Sequence, residues 1–137
     1  MDEHPQNLFG NTDLLVGAMG RWPSFHDARF KRGVRAGDTC SVSIHVFETT
    51  NKVGPHGSYE QTKHTLVTLQ MCGVSECSLP EGYGGDVLFD LTAEHTGELI
   101  KVVFDSATDP NQSWWVVCRS PKVTDVMPCG ARGERAI

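Results

Sequence analysis

The sequence predicts an α+β domain that is mostly antiparallel β, with six to seven strands and one short N-terminal helix. Three observations predict it. Over residues 39–46, Cys40, Val42, Ile44 and Val46 alternate with Thr39, Ser41, Ser43 and His45, the period of a strand with one face buried. Comparable short runs recur as far as residue 127, separated by Gly, Pro, Asn and Asp. Only residues 12–19 look helical, and no β–helix–β rhythm appears anywhere.

Residues 1–10 are polar, contain Pro5 and Gly10, and are expected to fray. The helix then starts at an Asn11 or Thr12 cap, with Asp13 in its first turn and Gly20 as a left-handed stop. Gly17 weakens so short a helix, so Leu14, Leu15 and Met19 must hold it by packing on the sheet. Arg21-Trp22-Pro23-Ser24-Phe25-His26-Asp27-Ala28 forms the next corner. Pro23 pushes Trp22 toward extended backbone and suits the start of a sheet rather than its middle. Trp22 and Phe25 are expected to anchor this corner in the core.

A first strand is expected over residues 25–34, with Ala28, Phe30 and Val34 on one face and Asp27, Arg29 and Lys31 on the other. A turn at 35–38 leads to the alternating strand 39–46. Residues 50–61 read as a long polar loop around Gly54, Pro55, His56 and Gly57. Strands follow at 63–71 and 87–91, the latter with Val87, Phe89 and Leu91 on one face. Between those two strands, residues 73–80 form a break and 81–85 a glycine-rich turn. Glu94 to Gly97 reads as a hairpin turn before a strand at 99–105, and Asp109-Pro110 marks another turn. Residues 113–118 are apolar on both faces, as in a central or helix-covered strand. A last strand at 123–127 starts after Pro121 and stops at Pro128, and residues 131–137 are charged and loose.

The chain of 137 residues is most economically one domain, with a core over about 11–127. A chain of this size buries roughly two-thirds of its unfolded surface, so it needs no covalent staple. Its 39% apolar and 21% charged content excludes wholesale disorder. The formal net charge of -5 argues against a nucleic-acid binder, which needs a basic footprint, and suits a basic protein partner. No apolar run approaches 18 residues, and no basic stretch followed by an apolar one opens the chain. The expected compartment is the cytoplasm, with all five cysteines as thiols.

Catalytic and metal motifs fail one by one. Adjacent residues on a strand face opposite ways, so His26 and Asp27 are not expected to pair, and a structural role is assigned to them. His45 and His64 are placed across paired strands on the solvent side, without a third ligand. Cys72 and Cys77 lack a second matched pair for zinc. There is no G-x-S-x-G and no H-E-x-x-H, and residues 82–85 lack the strand and helix of a phosphate loop. No catalytic residue, metal or cofactor is expected. Glu48, Asp86, Asp90, Glu94, Glu98 and Asp105 fall on exposed positions, either as a solvated face or as an acidic docking patch.

The W-P-S-F-H-D-A run at 22–28, with I-H-V-F-E-T at 44–49, K-H-T-L-V-T at 63–68 and V-L-F-D-L at 87–91, resembles the immunity protein 50 family of bacterial polymorphic toxin systems. The resemblance covers residues 10–126, and Arg29 stands where that family looks acidic. It implies a non-enzymatic cytoplasmic protein that neutralises a cognate toxin domain by direct binding, with no nucleic acid and no membrane involved. Exposed acidic and aromatic groups, with Glu48, Asp90, Glu94, His56 and Tyr59 chosen, are the expected contact residues, while Trp22, Pro23, Phe25, His26 and Asp27 form the structural motif. The alternative is a small ligand-binding β domain or enzyme, with a pocket lined by Trp114, Trp115 and histidines.

Overall fold

Strand pairing organises the chain into one antiparallel sheet that curls back on itself. The computed structural model describes residues 4–55, 57, 59–79, 86–108 and 113–132. They contain a 3-10 turn at Pro5–Asn7, the helix α1 (Thr12–Met19), and strands β1 (Arg29–Ala36), β2 (Thr39–Val53), β3 (Tyr59–Cys72), β4 (Glu76–Cys77), β5 (Asp86–Thr96), β6 (Leu99–Ser106), β7 (Ser113–Cys118) and β8 (Ser120–Pro128). The mostly antiparallel β class with one helix is as expected, but eight strands among the described residues exceed the expected six to seven. No helix among the described residues is long and apolar enough to cross a membrane.

The sheet order is β4-β7-β6-β5-β1-β2-β3-β8. Its two end strands are continuations of strands already inside it. The β3–β8 ladder ends at Cys72 opposite Ser120, and the β4–β7 ladder resumes at Glu76 opposite Val117. Between them the Arg119 N–H donates to the Cys72 carbonyl at 3.0 Å, and the Ser75 N–H to the Val117 carbonyl at 2.9 Å. One kinked ladder therefore joins β3 and β4 to β7 and β8 and closes the sheet into a ring of six long strands. The kink needs Gly73: its φ is +70°, and a Cβ there would lie 3.0 Å from the Arg119 side chain. The β1–β5 closure is narrow, pairing Arg29 with Val87 and Phe30 with Asp86.

Inside the ring Phe30 and Phe104 meet edge to face at 5.6 Å, surrounded by Ile44, Leu69, Met71, Leu88 and Val102. The helix α1 lies across β8 and β3 and buries Leu15 and Met19. Leu14, expected to pack, is 46% exposed because two helical turns give the sheet only one narrow stripe. Gly20 ends the helix at φ +84°, its N–H on the Val16 carbonyl. Asn11 is itself left-handed and its side chain makes no capping bond, so the expected cap is not formed there. Nor is the segment before the helix frayed where it is described. Phe9 is buried, and Gly10 bridges β8 through bonds of 2.9 Å with Pro121 and Val123.

Several expected boundaries move for identifiable reasons. The first strand begins at Arg29 rather than residue 25, because Phe25 and Asp27 are left-handed at φ +62° and +66°. A bulge between Phe30 and Arg32 then reverses its parity, so Gly33 is buried and Val34 exposed. The expected 50–61 loop is mostly strand, since β2 runs on to Val53 and β3 starts at Tyr59. Glu94 and His95 lie in β5, and the turn narrows to Gly97 and Glu98. The 73–80 break contains β4, and the last strand starts at Ser120. The turns expected at 81–85 and 109–110 lie outside the described residues.

Candidate functional site

The 21–28 corner does more than join the helix to the sheet. Phe9, Trp22 and Phe25 stack in sequence, with ring centroids 5.6 and 5.5 Å apart, and Phe25 and Pro23 are buried. Two left-handed residues then carry the chain away from β2. The Asp27 N–H donates to the Leu88 carbonyl at 2.9 Å, and the Leu88 N–H to the Ala28 carbonyl at 2.7 Å. The corner thus attaches to β5, and the position beside β2 that β1 would have continued to fill stays open.

That opening is a cleft of about 330 Å³. Arg21, His26 and Asp27 stand on one wall, and Phe47, Glu48 and Thr49 on the other. His26 Nδ1 lies 3.2 Å from Asp27 Oδ2. This corrects the expectation that the two do not pair: they sit in a turn, where alternation does not apply. Both side chains are more than half exposed, so the pair is solvated rather than shielded. Glu48 accepts from Lys63 at 3.1 Å and from Arg21 at 3.4 Å. Lys63 Nζ also donates to the Met19 carbonyl at 3.1 Å, tying the end of α1 to the cleft wall.

Above the cleft β2 and β3 continue as a two-stranded arm. Among the described residues, β1 pairs with β2 only as far as His45 and β8 with β3 only as far as Thr65, while β2 and β3 pair on to Val53 and Tyr59. Val53 and Tyr59 are opposite one another at the end of the arm, 59% and 60% exposed. Glu48 and Tyr59 therefore share the arm, and His56 lies outside the described residues.

On the other flank, β5 bulges between Leu88 and Asp90. The extra residue is Phe89, expected to share one face with Val87 and Leu91; it is 56% exposed, whereas Leu91 is buried. Its ring centroid is 5.3 Å from that of His26. Asp90 follows, opposite Asp105, its Oδ1 accepting from the Leu91 N–H at 2.9 Å. Burial, and then the Asp90 charge, raise the Asp105 carboxyl above its ordinary range. Glu94 sits further along β5 opposite Lys101, away from the cleft. Of the predicted contact residues that are described, Glu48 lines the cleft, while Asp90 follows Phe89 in β5 and is not among the lining residues. Phe89 was missed because a bulge leaves no mark on a pattern of alternating apolar residues; Phe47 was missed although it stands on the otherwise polar face of β2, with Ser41, Ser43 and His45.

Among the described residues, Trp114 and Trp115 do not share one face. Trp114 packs on the core, whereas Trp115 lies on the outer face, donating to Glu76 at 3.1 Å beneath the Lys101 ammonium, 5.3 Å from its ring centroid. His45 and His64 do meet, nitrogen to nitrogen at 2.9 Å. They sit diagonally rather than opposite, since His45 faces Leu66, and His45 is buried under Phe47 instead of facing solvent. Among the described residues no three His, Cys, Asp or Glu side chains gather as metal ligands. Burial pushes the Cys40 thiol up to about 12, helped by the neighbouring Cys77, and the Cys118 thiol up to about 11. Such thiols stay protonated and poorly nucleophilic. No family model, no curated protein and no solved structure matches the chain.

Proposed function

We propose that this protein is a cytoplasmic immunity protein that neutralises a toxin domain by binding it, without catalysis. One observation carries the reading. The cleft walled by the His26–Asp27 pair adjoins the exposed ring of Phe89, 5.3 Å from that of His26, and is bordered by the β2–β3 arm, which ends in the exposed Val53–Tyr59 pair. Large exposed apolar side chains rimmed by polar groups mark interaction surfaces, and aromatic anchors dominate binding energy. The resemblance of the 22–28 run to the immunity protein 50 family supplies the kind of partner. Within that run Pro23, Phe25 and Ala28 are buried and fix the corner, while Ser24, His26 and Asp27 are presented to solvent.

The test is co-expression with the protein encoded immediately upstream. Restored growth, with a stoichiometric complex recovered from the cells, supports the reading. Toxicity that this chain leaves unrelieved would overturn it. So would rescue by sub-stoichiometric amounts that chemically alter the toxin, which would make the protein an enzyme.

A further inference from the structure

The cleft has one wall made of strand edge. From Val46 onward, no described strand pairs with the side of β2 that faces β1, and residues 47–49 border the cleft there. An unpaired edge presents a row of N–H and C=O groups that templates a further strand. The opposite edge of the arm is protected. On β3, Lys63 has φ +55°, which bends the strand, and its ammonium is tied down to Met19 and Glu48. On β2 no residue has a positive φ; the extra residue between Val46 and Glu48 lies on β3, β2 itself becomes irregular only between Thr49 and Val53, and the one charge at 47–49, Glu48, is already neutralised by two cations.

Charge around the cleft selects what fits. Arg21 and Lys63 both engage Glu48. Asp27 is 61% exposed with His26 beside it, and Asp90 and Asp105 face each other across β5 and β6 next to the open ring of Phe89. A guanidinium or ammonium laid over Phe89 would meet carboxylates and an aromatic face together. The net charge of -5 favours the same sign of partner at longer range.

We propose that the open edge of β2 at residues 47–50 takes an extended segment of the partner protein as an added antiparallel strand, with a lysine or arginine of that segment directed to Phe89, Asp27 and Asp90. Main-chain bonds to the edge supply affinity, and the side chains of the added strand supply selectivity. A second copy of this chain is the poorer occupant, because edge-to-edge pairing would bring each cleft's carboxylates against their own kind.

The inference rests on the partner-binding reading, but its probe does not require the toxin. Ten-residue peptides displayed on phage are selected against the whole chain, and those recovered are synthesised. They are expected to carry Lys or Arg among β-branched residues and to slow amide exchange at 47–50. N-methylation of one alternate set of their amides should weaken binding about tenfold or more, and of the other set about twofold or less, as one-sided strand addition demands. Phe89→Ala and Asp27→Asn, both at exposed positions, should weaken the same peptides several-fold. Failure to recover cleft-dependent peptides, protection of other amides, or indifference to N-methylation would overturn the proposal. A dimer of the chain with 47–50 protected would assign the edge to a second copy. If peptides bind here but the upstream protein is not neutralised, the toxin reading falls and the edge stands. Neutralisation with 47–50 still exchanging gives the reverse.

Discussion

At the scale of single residues, the corner shows why composition and spacing reach only part of the structure. The aromatic and proline content of 22–25 is enough to place an anchored corner there, and Phe25 is indeed 2% exposed. Nothing in the letters reveals that Phe25 and Asp27 adopt left-handed backbone, which non-glycine residues rarely do. Only tertiary bonds such as that from Asp27 to Leu88 hold them there. Phe25→Ala should therefore cost about 3–5 kcal/mol, measured by urea unfolding. A variant that keeps the parent's midpoint would refute the anchor role. The thiols give a second residue-scale expectation. Cys40 is neutral when folded up to about pH 12, against an ordinary value of 9.0, so its contribution to stability is complete below pH 9 and drains away as pH rises toward 12. Unfolding free energies measured between pH 8 and 10.5 should decline, and Cys40→Ala should flatten that decline.

At the scale of elements, the long strands were legible, but their lengths and the two-residue β4 inside the expected 73–80 break were not. Cys40 through Val46 alternates because one face meets the core, and that face is what sequence pattern reports. Beyond Val46 the arm has solvent on more than one side, so polar and small residues suffice and the pattern dissolves into what reads as a loop. The bulge at Phe89 is invisible for a related reason: the extra residue restores an apolar rhythm in the letters while breaking it in space. The arm has a measurable signature. Two-stranded ribbons are marginal alone, so backbone amides at 50–53 and 59–62 should exchange far faster than those at 40–46. Equal protection along β2 would show that the arm is supported by something beyond its own pairing.

At the scale of the whole molecule, charge and partner choice become the question. With a net charge of -5 and carboxylates beside the cleft, association with a basic toxin domain should slow as salt rises. Dissociation should change less, because it depends on the packed apolar centre of the contact. Stopped-flow rates at low and at physiological ionic strength separate the two, and a salt-insensitive on-rate would remove electrostatic steering from the account. The ring closure itself was out of reach of sequence reading. It depends on β3 finding β8 across about 50 residues of intervening chain, and no local propensity encodes so distant a pairing.

That closure also sets a clock during synthesis. The β1–β2–β3 meander is complete once Cys72 has been made, yet its outer strand has no neighbour until β8 is finished at Pro128. At ribosomal speeds of about 5–20 residues per second, roughly 3–11 s separate the two events. Throughout that interval the nascent chain carries an apolar sheet face and an unfilled strand edge through the crowded space around the ribosome. A premature stop anywhere in β7 or β8 would make the condition permanent, and the product would aggregate rather than persist as a smaller domain.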